Sequence, residues 1–234
     1  MGLYSNRDLA ESVAAKLRGV SHNLESRQLL PELNLPFIPQ TSYALSASAI
    51  RIILNDVVLH QRRHVIEFGS GMSTLFLAKV LKEFPDTELI SIDHDAAWLG
   101  YLQNQLEKIG ASGVVRLIHA PLESAEMNDD VSWYARDIVL AALKNYVVDS
   151  AIIDGPKARH SNDAETRSYA LGILESQLNP RGHVVFMDDI NRPGERKIYE
   201  RWAREFDFEK VSDAEFCGLG ILVPRDLPLK FKIV

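Results

Sequence analysis

The 234-residue sequence is short of cysteine, of positive charge and of long apolar runs. Its one cysteine, Cys217, excludes an internal disulfide and any cysteine-based zinc cluster. Lys and Arg number 26 against 32 Asp and Glu, a formal net charge of -6. That balance disfavours a general nucleic-acid binder, which needs surplus cations to displace the counterions around phosphate. No apolar stretch approaches the roughly 20 residues of a membrane-spanning helix, so no membrane partner is expected. The opening segment carries Arg7, Asp8, Glu11, Lys16 and Arg18 where a signal peptide needs an apolar centre. A soluble, cytoplasmic protein is expected.

What is present is an alternation of short β-branched runs with longer helical periods. His64–Phe68 (HVIEF), Glu88–Ile92, Val114–Ile118, Val147–Ile153 and His183–Met187 read as strands. Between them, helical spacing runs from Met72 to Phe84, from Asp95 to about Ile109, and from about Ala164 to Leu178. A further helix can begin at Pro193 and continue to Phe206. Phe208–Val211 and Gly218–Val223 have no helix between them and read as a closing hairpin. The chain is therefore expected to be α/β: a doubly wound, mostly parallel seven-stranded sheet with an antiparallel C-terminal edge. Residues 1–60, with a proline-rich crossing and a helix over Ser42–Leu59, are expected to form a helical lid. Residues 61–234 would form the sheet domain.

In an open parallel sheet, ligands bind beyond the carboxyl ends of the strands, where strand order reverses. The first strand runs into Glu67-Phe68-Gly69-Ser70-Gly71-Met72-Ser73-Thr74. Two glycines let backbone approach a ligand, and the following helix offers free N–H groups. A dinucleotide fingerprint wants a third glycine where Thr74 stands, and Glu67 would repel a pyrophosphate. The second strand ends at Ser91-Ile92-Asp93-His94-Asp95, and a carboxylate at such a tip can accept both hydroxyls of a ribose.

VIEFGSGMSTLFLA, SIDHDAAW with its Trp98, Trp133-Tyr134 and IIDGP (Ile152–Pro156) stand in the order and spacing of a known family. Together they resemble the class I S-adenosylmethionine-dependent methyltransferases, over about His64 to Val223, and especially a small-molecule subgroup. The resemblance implies a Rossmann-like methyltransferase fold, with S-adenosylmethionine as cofactor and a small-molecule acceptor. It implies that Glu67, Gly69, Ser70, Gly71 and Ser73 hold the methionine end. By the same likeness, Asp93 takes the ribose, His94 lies beside the adenine, and Ala120, Pro121 and Leu122 line it. Asp154 would then sit near the transferring methyl. A sulfonium with an α-amino group is cationic, and carboxylates on neighbouring strand tips complement it.

Methyl transfer to a hydroxyl also needs a proton acceptor or a metal. Asp154, Asp188 and Asp189 end adjacent strands, an arrangement similar to cation-dependent O-methyltransferases. This sequence departs from them with Asp189 in place of asparagine. Mg²⁺ or another divalent cation on Asp154, Asp188 and Asp189 is one expectation. Pairing of the two consecutive aspartates with loop backbone, or with Arg192 or Arg196, is the other. His160 is the side-chain base expected from its usual pKa, giving Asp154, His160 and Asp189 as catalytic candidates. His60, Arg62, Arg63, His64 and His183 belong to the opposite end of the sheet, where no chemistry is expected. The main expectation is O-methylation of a small molecule. A nicotinamide-dependent oxidoreductase, a non-catalytic methyltransferase-like binding protein and a homodimeric assembly stay open.

Overall fold

Five consecutive core positions decide the centre of the sheet. In β1 (His64–Phe68) every residue after the first is buried, Glu67 included, as a strand covered on both faces requires. β2 (Glu88–Asp93), β6 (Ser150–Ile153) and β7 (Val184–Met187) are equally enclosed. The chain is described by a computed structural model covering residue 34 and residues 44–125, 128–157, 165–211 and 217–234. With β3 (Val115–His119), β8 (Phe208–Lys210) and β9 (Gly220–Pro224), these strands form one seven-stranded sheet in the order β3-β2-β1-β6-β7-β9-β8. β1 runs parallel to both β2 and β6, and β7 parallel to β6. β9 is antiparallel to β7 and to β8, which gives the expected C-terminal edge.

Strand order reverses between β1 and β6. Helices α1 (Ala47–Leu59), α2 (Met72–Leu81) and α3 (Ala96–Lys108) cover one face, in one core with Val65 and Leu89. Helices α4 (Arg136–Ala142), α5 (Tyr169–Leu174) and α6 (Pro193–Glu205) cover the other, with Ile66, Phe68 and Met187. The doubly wound reading is thereby met.

Several boundaries differ from the sequence reading, each for a tertiary reason. Most of the expected lid lies outside the described residues. Its described helix, α1, does not stand apart: Ile52, Ile53 and Val57 are buried in the same core as Val65 and Leu75. The helix expected over 164–178 is broken into 3₁₀ turns at Thr166–Ser168 and Glu175–Gln177 around the six-residue α5. Its last turn opens because Val148 N–H donates to Gln177 O at 2.7 Å and Asn179 N–H donates to Val148 O at 2.8 Å. That pairing also holds Val148 in a single bridge outside β6. Sequence reading missed α4 and an antiparallel hairpin of β4 (Leu122–Ala125) and β5 (Asn128–Tyr134), which forms its own two-stranded sheet.

Candidate active site

The switch point between β1 and β6 leaves no room for side chains. Gly69 has φ +95°, a left-handed conformation that glycine adopts without penalty. A Cβ there would lie 3.0 Å from the carbonyl carbon of Asp154 and from the nitrogen of Gly155. At Gly155 an added Cβ would lie 2.4 Å from the Tyr134 hydroxyl and 3.0 Å from Gly69 Cα. The two loops therefore meet backbone to backbone.

Behind that contact, the glycine turn is tied down by hydroxyls. Gly71 is the N-cap of α2, and its N–H donates to Thr74 Oγ1 at 2.9 Å. Thr74, at the position where a third glycine would signal a dinucleotide, thus closes the turn with its side chain. Ser73 and Thr74 donate to the two oxygens of Glu67, and Ser91 donates at 2.7 Å. Burial pushes the Glu67 carboxyl above the ordinary range, against the pull of these hydroxyls. Ser70 N–H donates to Asp93 Oδ2 at 3.0 Å, and Asp95 N–H to Asp93 Oδ1 at 2.9 Å. Asp93 Oδ2 keeps a lone pair for a further donor, and Oδ1 also lies 3.3 Å from His94 Nδ1.

In front of the turn opens a cavity of about 610 Å³. Gly69, Ser70, Gly71, Ser73, Asp93, His94, Leu122 and Asp154 all line it, as the sequence reading expects. Three expected members do not, and one of them, Ala120, is fully buried. Glu67 is wholly buried beneath the hydroxyls and braces the turn instead of facing the opening. Pro121 is exposed and precedes β4, so only Leu122, already in the strand, reaches the cavity. The further lining residues include Trp98 and Tyr134, quoted in the sequence only as motif residues. Trp98, stacked on Tyr101, donates its indole N–H to Ser70 O at 2.8 Å. Tyr134, almost fully buried, presents its ring end beside Gly155. Burial first, then the charges of Asp93 and Asp154, holds its hydroxyl well above the ordinary phenol range. It therefore stays protonated.

The three strand-tip aspartates do converge. One oxygen from each of Asp154, Asp188 and Asp189 lies within 4.8 Å of the others. Only Asp154 lines the cavity. The Asp154 carboxyl is held well above its ordinary range, by burial first and then by Asp188. Asp188 is raised to about 6, by burial first and then by Asp189. The two share a side-chain hydrogen bond, so one proton between them satisfies both. Asp189 sits at φ +63°, a conformation that aspartate tolerates, which turns its side chain back toward two arginines. Arg192 Nη1 is 2.8 Å from Asp189 Oδ2, as the alternative expectation held, but Arg196 instead donates to Ile190 O. The second arginine is Arg167, from the Thr166–Ser168 turn, 3.1 Å away. No sequence motif marked it. His160 and Arg159 lie outside the described residues.

The opposite end of the sheet keeps its basic residues, though not all in solvent. His60, Arg62, Arg63, His64 and His183 line a second cavity of about 1000 Å³ there. Arg62 is not solvated as expected: it makes a two-pronged pair with buried Asp56, both contacts at 3.0 Å. Cys217 is half-buried in the turn before β9, with its thiol pushed up to about 11 by burial. No helix among the described residues is long and apolar enough to cross a membrane.

A parallel sheet of this order, its glycine turn at the switch point and its acidic second-strand tip define a Rossmann-like methyltransferase domain. A family model described as a methyltransferase domain matches residues 66–190, more than half the chain, and the chain belongs to that family. Among solved structures it is similar to the O-methyltransferase TomG from Streptomyces achromogenes, involved in tomaymycin synthesis and solved in complex with SAM. The two share 20% identity over 86% of this chain and 87% of that one, with a TM-score of 0.55. An O-methyltransferase from Bacillus cereus in complex with SAH matches at 17% identity, 87% and 89% coverage and a TM-score of 0.57. The SAH-bound Podospora anserina methyltransferase PaMTH1 matches at 11% identity, 95% and 97% coverage and a TM-score of 0.57. No curated relative matches the chain closely enough to count.

Proposed function

We propose that this methyltransferase uses S-adenosylmethionine to methylate an oxygen of a small-molecule acceptor. The observation that carries the reading is Asp93. It stands at the tip of β2 with both oxygens oriented by backbone N–H groups and a face on the cavity, beside a glycine turn that admits a ligand to its backbone. The cavity volume falls inside the roughly 300–1,000 Å³ of small-molecule sites. The names of the TomG and Bacillus cereus proteins supply the analogy for oxygen as the acceptor atom.

When bound, the cofactor would supply a methyl carbon open to in-line attack by the acceptor oxygen, its bond to sulfur breaking as the sulfur leaves as a neutral thioether. The rest falls to the chain. Asp93 would accept the two ribose hydroxyls, His94 and Leu122 would flank the base, and Gly69, Ser70, Gly71 and Ser73 would receive the methionine end. Glu67 would act one layer back, fixing Ser73 and Thr74. Asp154 borders both the glycine turn and the opening, so an acceptor hydroxyl beside it can pass its proton to the Asp154–Asp188 pair. His160, three residues after the cavity-lining Lys157 in the sequence, is the second candidate for that proton. Asp189 is assigned no direct part, because it faces Arg167 and Arg192 rather than the cavity. A divalent ion on the three aspartates is within reach by distance alone.

Calorimetry on Asp93→Ala tests the ribose assignment. Loss of two charge-assisted hydrogen bonds predicts S-adenosylmethionine binding weaker by about 10- to 100-fold. Unchanged affinity removes Asp93 from the site.

A further inference from the structure

Three carboxylates packed at two strand tips need positive charge near them, and the fold already supplies it. Arg167 is only 3% exposed. Its Nη2 lies 3.1 Å from Asp189 Oδ2 and 3.7 Å from Asp154 Oδ1. The same nitrogen donates to the carbonyl of Asp154 at 3.0 Å, and Nη1 donates to the carbonyl of Asp188 at 2.9 Å. One planar guanidinium therefore spans the tips of β6 and β7 and touches all three aspartates, through side chain or backbone. Three hydrogen bonds and an ion pair at 3.7 Å hold the two Nη groups of this buried side chain, while its Nε finds no partner among the described residues.

Arg192 Nη1 occupies the same Asp189 oxygen at 2.8 Å. A divalent ion drawing on that oxygen, at the usual distance of about 2.0–2.6 Å, would have to take it from two arginines. It would then lie against a guanidinium that cannot lose its proton. Two of the three candidate ligands also stand outside the cavity lining. The donor set fits a metal by element type and fails to fit it by charge.

We propose that Arg167 takes the place of a divalent cation in this cluster, holding Asp154 at the cavity wall, so that the chain works without a metal ion. The metal half stands on the cluster alone. The positioning half rests on the methyltransferase reading given above.

The test is Mn²⁺ titration of the chelator-stripped full chain, read by the paramagnetic signal of the free ion and run without S-adenosylmethionine. Wild type is expected to leave Mn²⁺ free up to about millimolar concentration. Arg167→Met exposes uncompensated carboxylates and is expected to bind Mn²⁺ at least about tenfold tighter. That gain is expected to vanish in Arg167→Met/Asp189→Asn. One stoichiometric Mn²⁺ on wild type, lost in Asp189→Asn, overturns the proposal, and this arm stands even if Arg167→Met does not fold. A folded Arg167→Met that gains no Mn²⁺ overturns it as well.

For positioning, Arg167→Lys keeps the charge and loses the fork. It is expected to lower kcat with KM for S-adenosylmethionine unchanged, and to be insensitive to EDTA. Wild-type activity abolished by EDTA and restored by Mg²⁺ is the contrary result. Failure to bind S-adenosylmethionine at all would sink the functional reading and leave the Mn²⁺ result standing.

Discussion

At the scale of single residues, the site is organised by what has no side chain and by what has too much charge. Gly155 shows the first. A methyl group there would meet the Tyr134 hydroxyl at 2.4 Å and Gly69 backbone at 3.0 Å. Gly155→Ala is expected to lower stability by about 1–3 kcal/mol, the usual cost of overpacking, with loss of cofactor affinity. Gly155→Ala/Tyr134→Phe removes the nearer clash and should recover part of that loss in a urea melt. The second is the Asp154–Asp188 pair. The folded state raises Asp188 to about 6 from 3.8, so between those values it binds more protons than the unfolded chain. Its contribution is thus fully present below the unfolded value and is lost as pH rises through about 6. Asp188→Asn removes this dependence. Relative to wild type, the variant is expected to gain stability on going from pH 4.5 to 7.5, as urea midpoints at the two pH values would show. A parallel fall of both proteins would contradict the assignment.

At the scale of elements, α1 and β1 are joined by a buried ion pair rather than by a loose connection. Asp56 accepts from Arg62 through both oxygens and lies 2.9 Å from His60 Nδ1. Asp56→Ala leaves the nearly buried Arg62 without its partner, and breaking such a pair costs about 3–5 kcal/mol. A fall of that size in thermal or urea unfolding is expected. A loss below about 1 kcal/mol, as for a surface pair, would contradict it. Proline and polar residues mark the stretch before α1, while the contacts of Ile52, Ile53 and Val57 with the sheet depend on residues far along the chain. The hairpin β4–β5 was illegible for the related reason that Asn128-Asp129-Asp130 carries no alternation of apolar residues. Strands β1, β2, β6 and β7 were legible because burial on both faces demands mostly apolar runs, and such runs show in the sequence itself.

At the scale of the whole molecule, the surplus of acid reads differently once placed. Glu67, Asp93, Asp154, Asp188 and Asp189 all fall at carboxyl-end strand tips around one switch point, as the strand spacing foretold. What spacing left out was their division of labour. Glu67 is sealed behind hydroxyls, Asp93 and Asp154 face the cavity, and Asp188 and Asp189 stand behind Asp154 with Arg167. A lone arginine in a stretch of helical period carries no motif, so the residue that balances this cluster emerges only from the fold. Tyr134, quoted with Trp133 as a motif residue, gains its place beside Gly155 through a hairpin that the sequence hid.

The central claim is that the cavity at this switch point is built for a sulfonium nucleoside and not for a pyrophosphate. Thr74 closes the turn where a dinucleotide site would have a third glycine, and carboxylates ring the opening. Titration calorimetry of the full-length chain against S-adenosylmethionine and NAD, side by side, tests it most directly. The account predicts one S-adenosylmethionine per chain and no measurable heat of binding with NAD. Stoichiometric NAD binding with no response to S-adenosylmethionine would contradict it.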